Sequence, residues 1–325
     1  MPTRPLRFLL ALSVLGALAC QNAGQDRVLG IQATGVIKGV VYLDRDGNRV
    51  LGAADTALKG VGVRVIVSGT HDTVGRGASD TAGLFRFPGI PVGNVVVAVD
   101  TTTIAGDSLH VISIDVPSLT VTPGDSFNLR VTVSYLQLTV AQARGAAAGT
   151  KVFVTGVALN PSQAFGDSTV RLRDTSGTIL LTRVRFAVQT GDSVRWLATR
   201  LTLNGQPTLD SPAGFGLGTG AATPARQVST AVAASADSGR SDAALVRVPG
   251  THVTDTATVA GNRRLTVTDG SGPLVVELDT IAGFRGSALA ADTVGGKLDL
   301  TGVLAPVGGT TWHLLPRSPS DVVPK

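Results

Sequence analysis

The pattern of apolar and polar residues predicts β-strands along almost the whole chain. Between residues 36 and 133, Val, Ile, Leu and Phe alternate with polar residues in short runs, and Gly and Pro separate these runs. Such alternation is typical of strands with one buried and one solvated face. Helical spacing is confined to the Ala-rich segments 138–148 and 228–236. We therefore expect an all-β protein.

The length of 325 residues predicts more than one domain, because a single core seldom grows to that size. The second half of the chain contains a degenerate repeat: Gly149–Val157 and Val170–Gly177 correspond to Ala244–Gly250 and Leu265–Gly272. Each copy runs strand, hairpin, strand and then a Gly-led strand with a second hairpin. The predicted divisions are a β-sandwich at 36–135, one small module at 138–210, a Gly/Pro/Ala-rich linker at 211–235 and a second small module at 236–323.

Four landmarks of the first division occur in a characteristic order. They are the acidic loop 44–55, the step Leu58–Val61, the turn Asp80–Phe87 and the element Pro91–Gly93. In this order they resemble the SdrD B-like and prealbumin-like repeat domains of bacterial surface proteins, which are also similar to the carboxypeptidase regulatory domain. The resemblance implies a spacer or binding stalk. The repeated modules resemble tandem OB-fold modules of exported bacterial proteins, so the expected fold is a prealbumin-like β-sandwich followed by two small OB-like β-barrels.

The N-terminus has the pattern of a secretion signal. Arg4 and Arg7 precede the apolar stretch Phe8–Leu18, which is too short to span a bilayer. The stretch ends in Ala-Leu-Ala-Cys20, which resembles the lipobox of bacterial lipoproteins. Cys20 is the only cysteine, so neither a disulfide nor a cysteine-based zinc site is expected. We expect a signal peptide at 1–19, lipidation at Cys20, a tether at 20–35 and a membrane anchor in the cell envelope, in the outer membrane if the host has one; the alternative is an ordinary secretory leader.

The acidic loop has the ligand spacing of a calcium site. Its side-chain oxygens and one backbone carbonyl fall at loop positions one, three, five, seven and twelve, which suits a hard cation that needs six to eight oxygens. Position six is Arg49 where an EF-hand has Gly, and position twelve carries the shorter Asp. The alternative is a plain Asp/Asn/Gly turn. The predicted ligands of a structural Ca²⁺ are Asp44, Asp46, Asn48, the carbonyl of Val50, and Asp55.

The motifs that resemble enzyme sites lack their partners. Gly106–Leu109 spells the nucleophile motif of GDSL hydrolases, yet Gly-Asp-Ser recurs three more times and no Asp-x-x-His supplies a base. Gly216–Gly220 neither follows a parallel strand nor opens a helix, so it does not predict a dinucleotide site. The four histidines are scattered, and Trp312 is expected to fill a core. The chain is therefore predicted not to be an enzyme.

Charge adds little to this picture. The net charge of +5 includes Arg4 and Arg7 of the leader, which leaves +3 for the mature chain, and only 4% of the residues are aromatic. Neither feature favours a nucleic acid partner. The predicted function is a non-catalytic cell-envelope lipoprotein that acts as a binding or structural module, with an envelope protein or a glycan as partner. The alternative is an oligosaccharide- or nucleic-acid-binding protein whose OB-like modules support a separate enzyme.

Overall fold

The computed structural model describes residues 33–221, 223–284 and 293–325 and shows an all-β protein, as expected. The α-helices α1 (Val140–Gly145) and α2 (Thr230–Ala234) are short. None of the helices among the described residues is long and apolar enough to cross a membrane. The predicted signal peptide, Cys20 and most of the predicted tether lie outside the described residues.

The N-terminal strands form two β-sheets, which confirms the predicted β-sandwich. One sheet has the order β4-β3-β6-β8; the other has the order β2-β1-β9-β7, with β5 paired to β1. Buried residues alternate with solvated ones along the strands, as in β3, where Val63 and Val65 are fully buried. The strands are β1 (Thr34–Leu43), β2 (Thr56–Ala57), β3 (Gly62–Val67), β4 (Thr73–Ala78), β5 (Leu84–Pro91), β6 (Gly93–Asp100), β7 (Leu109–Ile114), β8 (Ser118–Val121) and β9 (Ser126–Tyr135).

The chain divides into two compact units whose boundary differs from the predicted one. The first unit comprises residues 33–41, Lys59–Asp100 and Ile114–Arg130. The second comprises Tyr42–Leu58, Thr101–Ser113 and Val131–Lys325. The acidic loop was expected to belong to the sandwich, but it is part of the second unit. The unit to which the loop belongs depends on which distant residues the loop contacts, and sequence order alone does not determine those contacts.

The first repeat copy folds into a closed five-stranded barrel, here named barrel 1. Its strands follow the order β11-β12-β13-β15-β14, and β14 pairs back to β11. The β13–β15 pair is parallel and the other pairs are antiparallel, which is the Greek-key closure of an OB-like barrel. The strands are β11 (Lys151–Ala158), β12 (Val170–Arg173), β13 (Thr178–Thr182), β14 (Asp192–Leu203) and β15 (Gln206–Thr219), and β10 (Gln137–Leu138) lies beside β11.

The second copy repeats this topology as barrel 2. The order is β17-β18-β19-β21-β20, with β20 paired back to β17 and a parallel β19–β21 pair. The predicted internal repeat and the two predicted OB-like barrels are therefore confirmed. The strands are β16 (Arg226–Gln227), β17 (Leu245–Val259), β18 (Asn262–Thr268), β19 (Leu274–Leu278), β20 (Lys297–Gly308), β21 (Thr311–Leu315) and β22 (Val322–Pro324).

The repeated Asp-x-Ser-Gly turn caps the short helix that precedes each barrel. In barrel 1, the Asp174 carboxylate accepts the Val140 amide of α1 (2.8 Å) and the Ser176 hydroxyl accepts the Ala141 amide (2.9 Å). These bonds satisfy amides that the first helical turn leaves unpaired. The second copy makes the equivalent bonds from Thr230 to Asp269 and from Ala231 to Ser271 (both 3.1 Å).

Burial opposes the ionisation of Asp269, but hydrogen bonds from Ser271 and Thr230 outweigh it and hold the pKa of this carboxyl far below its ordinary value. The turn that the sequence predicts as part of a hairpin therefore also caps the N-terminus of a helix.

The predicted linker at 211–235 is wrong over most of its length. Residues 211–219 continue β15, which is paired with β14 as far as Thr219. Gly214 lies opposite Trp196, where a Cβ atom would overlap the ring of Phe186. The glycine that composition attributes to a linker is thus required by a close approach inside barrel 1. Further along, the segment forms β16 and α2.

Candidate metal centre

The acidic loop 44–55 is closed at its base by a short antiparallel ladder. β1 ends at Leu43 and β2 begins at Thr56, and these two residues are register partners. Asp44 and Asp55, the first and last residues of the loop, are therefore held near one another. A separation of eleven residues in the sequence becomes a neighbourhood in space because the two flanking strands pair.

Three carboxylates meet in this loop. Asp44, Asp46 and Asp55 each offer one oxygen, and these oxygen atoms all lie within 4.8 Å of one another. Calcium is bound by six to eight oxygens at about 2.3–2.6 Å, and carboxylates contribute one or two oxygens each. The donor set therefore fits a hard divalent cation.

The same carboxylates organise the loop backbone. Asp44 is fully buried and accepts the amides of Gly47 (2.8 Å), Asn48 (3.2 Å) and Arg49 (3.0 Å). Asp55 accepts the amides of Arg45 (3.0 Å) and Gly52 (2.8 Å). Bonds of this kind are typical of Asp/Asn turns with or without a metal. They hold the acidic side chains in fixed directions.

The electrostatics of the loop disfavour its full ionisation. Burial is the largest cause that raises the pKa of Asp44, and the neighbouring Asp46 and Asp55 raise it further. The amides of Arg49 and Gly47 act in the opposite direction, yet the net shift is upward. Bringing these carboxylates together therefore costs free energy, which a bound cation would offset.

The turn geometry accommodates the residue that departs from the EF-hand pattern. Arg49, at loop position six, has φ = 63°, and Gly47 has φ = 70°. Both values lie in the left-handed region, which glycine adopts without strain and other residues seldom do. A Cβ atom on Gly47 would lie 3.0 Å from Cδ of Arg195 and 3.3 Å from the ring of Phe153. Arg49 thus adopts the sharp turn that Gly provides in an EF-hand.

The remaining predicted ligands lie in the same loop and contact one another. Oδ1 of Asn48 accepts the amide of Val50 (2.6 Å), and Nδ2 of Asn48 donates to Asp46 (2.8 Å). All five predicted residues thus lie within one loop, and three of them form the carboxylate cluster. Whether Asn48 and the Val50 carbonyl act as ligands stays a prediction.

A residue that the sequence did not indicate completes the surroundings of the loop. Arg195 of β14 donates from Nη1 to the carbonyl of Asp46 (3.0 Å), although 149 positions separate the two residues. The loop and barrel 1 border a cleft of about 460 Å³ whose walls include Tyr135, Phe153 and Arg195. No local signal marks Arg195, because its role arises only from the packing of the loop against barrel 1.

The other motifs occupy structural positions. Ser108 of the Gly-Asp-Ser-Leu turn accepts the amide of Lys151 (3.2 Å), and Gly216–Gly220 begins within β15. Among the described residues, no hydrogen bond joins a histidine to a serine or threonine hydroxyl; His313 instead contacts Glu277 (3.4 Å). Trp312 is buried in barrel 2, which confirms its predicted place in a core.

A buried polar cluster joins the two barrels. The fully buried Asp242 pairs with Arg144 of α1 (3.3 Å) and accepts Nε1 of Trp312 (2.8 Å). The hydroxyl of Thr178 donates to the carbonyl of Asp242 (2.6 Å). Arg317 of barrel 2 donates to the carbonyl of Leu159 in barrel 1 (2.9 Å). Asp242 therefore connects side chains from both barrels.

The surface of barrel 1 that OB folds commonly use for ligands is covered. That surface comprises the second and third strands with the loops 1–2 and 4–5. In barrel 1, Leu159 and Phe165 of loop 1–2 belong to the hydrophobic core of barrel 2. In loop 4–5, Asn204 donates to the carbonyl of Pro306 (3.3 Å). The residues Val170–Leu172 and Thr178–Leu181 of the two strands are all buried.

In barrel 2 the corresponding surface is only half-buried. Arg264 of β18 and Glu277 of β19 lie opposite each other at 3.4 Å, and His313 of β21 contacts the same carboxylate. Burial opposes the ionisation of Glu277, but hydrogen bonds from His313 and Asn262 and the charge of Arg264 hold its pKa below the ordinary value. This cluster is the polar centre of the accessible face of barrel 2.

Comparison with known proteins finds no family model and no curated protein that matches the chain. The chain is similar to a murine DNA-binding protein bound with double-stranded DNA (10% identity, 53% of this chain and 97% of that one, TM-score 0.29). It is also similar to the Bacillus anthracis TIE protein (13% identity, 58% of this chain and 32% of that one, TM-score 0.25). A third similar structure is a streptococcal ancillary pilin (14% identity, 57% of this chain and 59% of that one, TM-score 0.24).

The chain spans about a third of the length of the Bacillus anthracis TIE protein and less than two thirds of the length of the pilin. TM-scores below 0.5 do not define a shared fold.

Proposed function

We propose that the chain is a non-catalytic lipoprotein of the cell envelope, anchored through Cys20, whose barrels act as one structural module. The observation that carries the structural role is the covered ligand surface of barrel 1. Leu159 and Phe165, which lie in a loop that OB folds often use for binding, are committed to the core of barrel 2. The basic and apolar series that ends at Cys20 supports the anchor.

The anchor is tested by metabolic labelling with a fatty-acid analogue in a bacterial host. Wild type should be labelled and should partition with membranes, because two or three acyl chains at about 0.8 kcal/mol per buried CH₂ hold a protein almost permanently. Cys20→Ser should be unlabelled and released. An unlabelled wild type would show that the leader is an ordinary secretion signal.

We further propose that the acidic loop binds Ca²⁺ and stabilises the second unit. The proposal is supported by the cluster of Asp44, Asp46 and Asp55 and by the raised pKa of Asp44. Extracellular modules bind calcium with dissociation constants of about 10⁻⁴–10⁻³ M. At calcium concentrations tenfold above such a constant, linkage adds about 1.4 kcal/mol of stability.

The calcium proposal is tested by thermal unfolding of the mature Cys20→Ser protein with millimolar Ca²⁺ and with chelator. Calcium should raise the midpoint in this protein but not after the further change Asp46→Asn. Asp107→Asn is the matched control, since it removes one exposed carboxylate outside the loop. An unchanged midpoint, or an equal response of the Asp46→Asn protein, would leave the loop as a turn only.

A second candidate function is the binding of an oligosaccharide or a nucleic acid by barrel 2. The observation in its favour is the half-buried face around Arg264, Glu277 and His313, which barrel 1 lacks. Against nucleic acid, the described aromatic residues Phe284 and Trp312 of barrel 2 are buried and offer no stacking surface. Salt-dependent binding of fluorescent single-stranded DNA, or a positive glycan array that Arg264→Gln abolishes, would replace the structural proposal with this one.

A further inference from the structure

An arginine-lined cleft lies where the β12–β13 hairpin of barrel 1 approaches the segments 224–226 and 240–245 of barrel 2. The cleft encloses about 380 Å³. Small-molecule sites commonly measure about 300–1,000 Å³, so this space suits a small ligand. We name it the arginine cleft, after Arg173, Arg226 and Arg240 in its wall.

The arginine cleft carries an excess of positive charge. Its described wall residues include three arginines but a single carboxylate, that of Asp174. The oxygens of Asp174 are already engaged, since they accept the amides of Val140 (2.8 Å), Ser176 (2.7 Å) and Gly177 (3.0 Å). Asp174 is thus directed toward the start of α1 and the hairpin turn, so it does not pair with the arginines.

Within the part of the chain that the structure describes, two of the three guanidinium groups have no carboxylate partner. The ion pairs among the described residues include neither Arg173 nor Arg240. The one hydrogen bond found for the Arg173 side chain goes to the carbonyl of Pro224, at 3.5 Å. In contrast, Arg317 makes a two-pronged pair with Asp321 (2.8 and 3.0 Å). The unpaired guanidiniums leave donors available on the cleft wall.

The third arginine, Arg226, is held in place by two neighbouring side chains. Nη1 of Arg226 donates to Oγ of the buried Ser241 (2.9 Å), and Nη2 lies 3.7 Å from Asp237. Guanidinium forks are groups that proteins use to bind phosphate and other oxyanions.

We propose that the arginine cleft binds the phosphate group of a small ligand. The guanidinium groups of Arg173 and Arg240 donate to the phosphate oxygens, and Arg226, whose charge Asp237 partly offsets at 3.7 Å, adds a third guanidinium. A phosphate ion fills only part of a cleft of about 380 Å³, which leaves room for a small organic group attached to it. The inference is independent of calcium binding, because the acidic loop does not line this cleft.

The proposal is tested by isothermal titration of the mature Cys20→Ser protein with inorganic phosphate and, separately, with glycerol 3-phosphate. Saturable binding of either probe at millimolar concentration is expected. Arg173→Gln and Arg240→Gln should each weaken it about tenfold or more, since a hydrogen bond to a charged group contributes roughly 1.5–3 kcal/mol. Tighter binding of glycerol 3-phosphate than of inorganic phosphate would assign the site to a phosphorylated organic ligand. Equal affinities for the two probes would assign it to free phosphate.

Arg185→Gln is the matched control, because it removes one exposed arginine of the same unit outside the cleft. It should bind both probes like the parent protein. Thermal midpoints of all three variants verify folding, and Arg240→Lys, which keeps the charge but loses the fork, should bind with intermediate affinity. Absence of saturable binding, or equal weakening by Arg185→Gln, would overturn the proposal.

Discussion

Asp242 is the residue whose replacement tests the tandem-barrel architecture most directly. Its side chain is fully buried, pairs with Arg144 at 3.3 Å and accepts the indole N–H of Trp312 at 2.8 Å. Asp242→Ala would leave both donors without this acceptor. We therefore expect a large loss of stability from a single side chain that touches no proposed ligand.

The expected magnitude follows from these contacts. Removing one partner of a buried ion pair costs about 3–5 kcal/mol, and an unsatisfied buried donor costs about 1–3 kcal/mol. The two terms overlap. Arg144 remains 19% exposed and keeps its bonds to the carbonyls of Thr178 and Gly239. We expect about 3–4 kcal/mol for Asp242→Ala and a smaller loss for Asp242→Asn, which retains an acceptor for Trp312.

The assay is urea denaturation followed by tryptophan fluorescence, which suits this chain because its two tryptophans, Trp196 and Trp312, are buried one in each barrel. Asp237→Ala is the control. Asp237 lies 3.7 Å from Arg226, the two side chains are 38% and 56% exposed, and solvent-exposed pairs contribute about 0–1 kcal/mol. A loss for Asp242→Ala below about 1 kcal/mol, or no larger than that of Asp237→Ala, would refute the inferred role of the buried cluster.

Two further predictions test other parts of the structure. Gly214→Ala should destabilise the protein by about 1–3 kcal/mol, because its Cβ would overlap the ring of Phe186. Gly216 has open space around it, so Gly216→Ala should be near neutral in the same denaturation assay. Equal effects of the two substitutions would support the original prediction that this segment is a linker. Burial lowers the pKa of His313 below 6.5, so the unfolded chain takes up the proton first and stability should fall as pH drops below about 6.5. The measurement is the midpoint of denaturation between pH 7 and 5. His313→Gln should flatten the pH dependence, whereas replacement of the exposed His252 by Gln should not. If both variants behaved like wild type, that result would contradict the reasoning.

The sequence by itself determined the features that depend on short stretches of chain. Alternation with period two and the placement of Gly and Pro specify strands and turns locally, so the all-β class, the sandwich and the repeated modules could be predicted. The spacing within the loop also predicted that Asp44 and Asp55 belong to one candidate metal site. Cys20 and its leader, which lie outside the described residues, stay predictions of the sequence alone.

The tertiary structure decided which distant segments meet. Gly214 lies in a segment whose composition predicts a linker, yet it is part of β15. Only strand pairing shows that the ring of Phe186 occupies the space beside it. Asp242 is an ordinary polar residue in the sequence, and it is buried only because Arg144 and Trp312 converge on it from segments 98 and 70 positions away. Such contacts depend on the closure and packing of both barrels, and no periodicity within one segment encodes them.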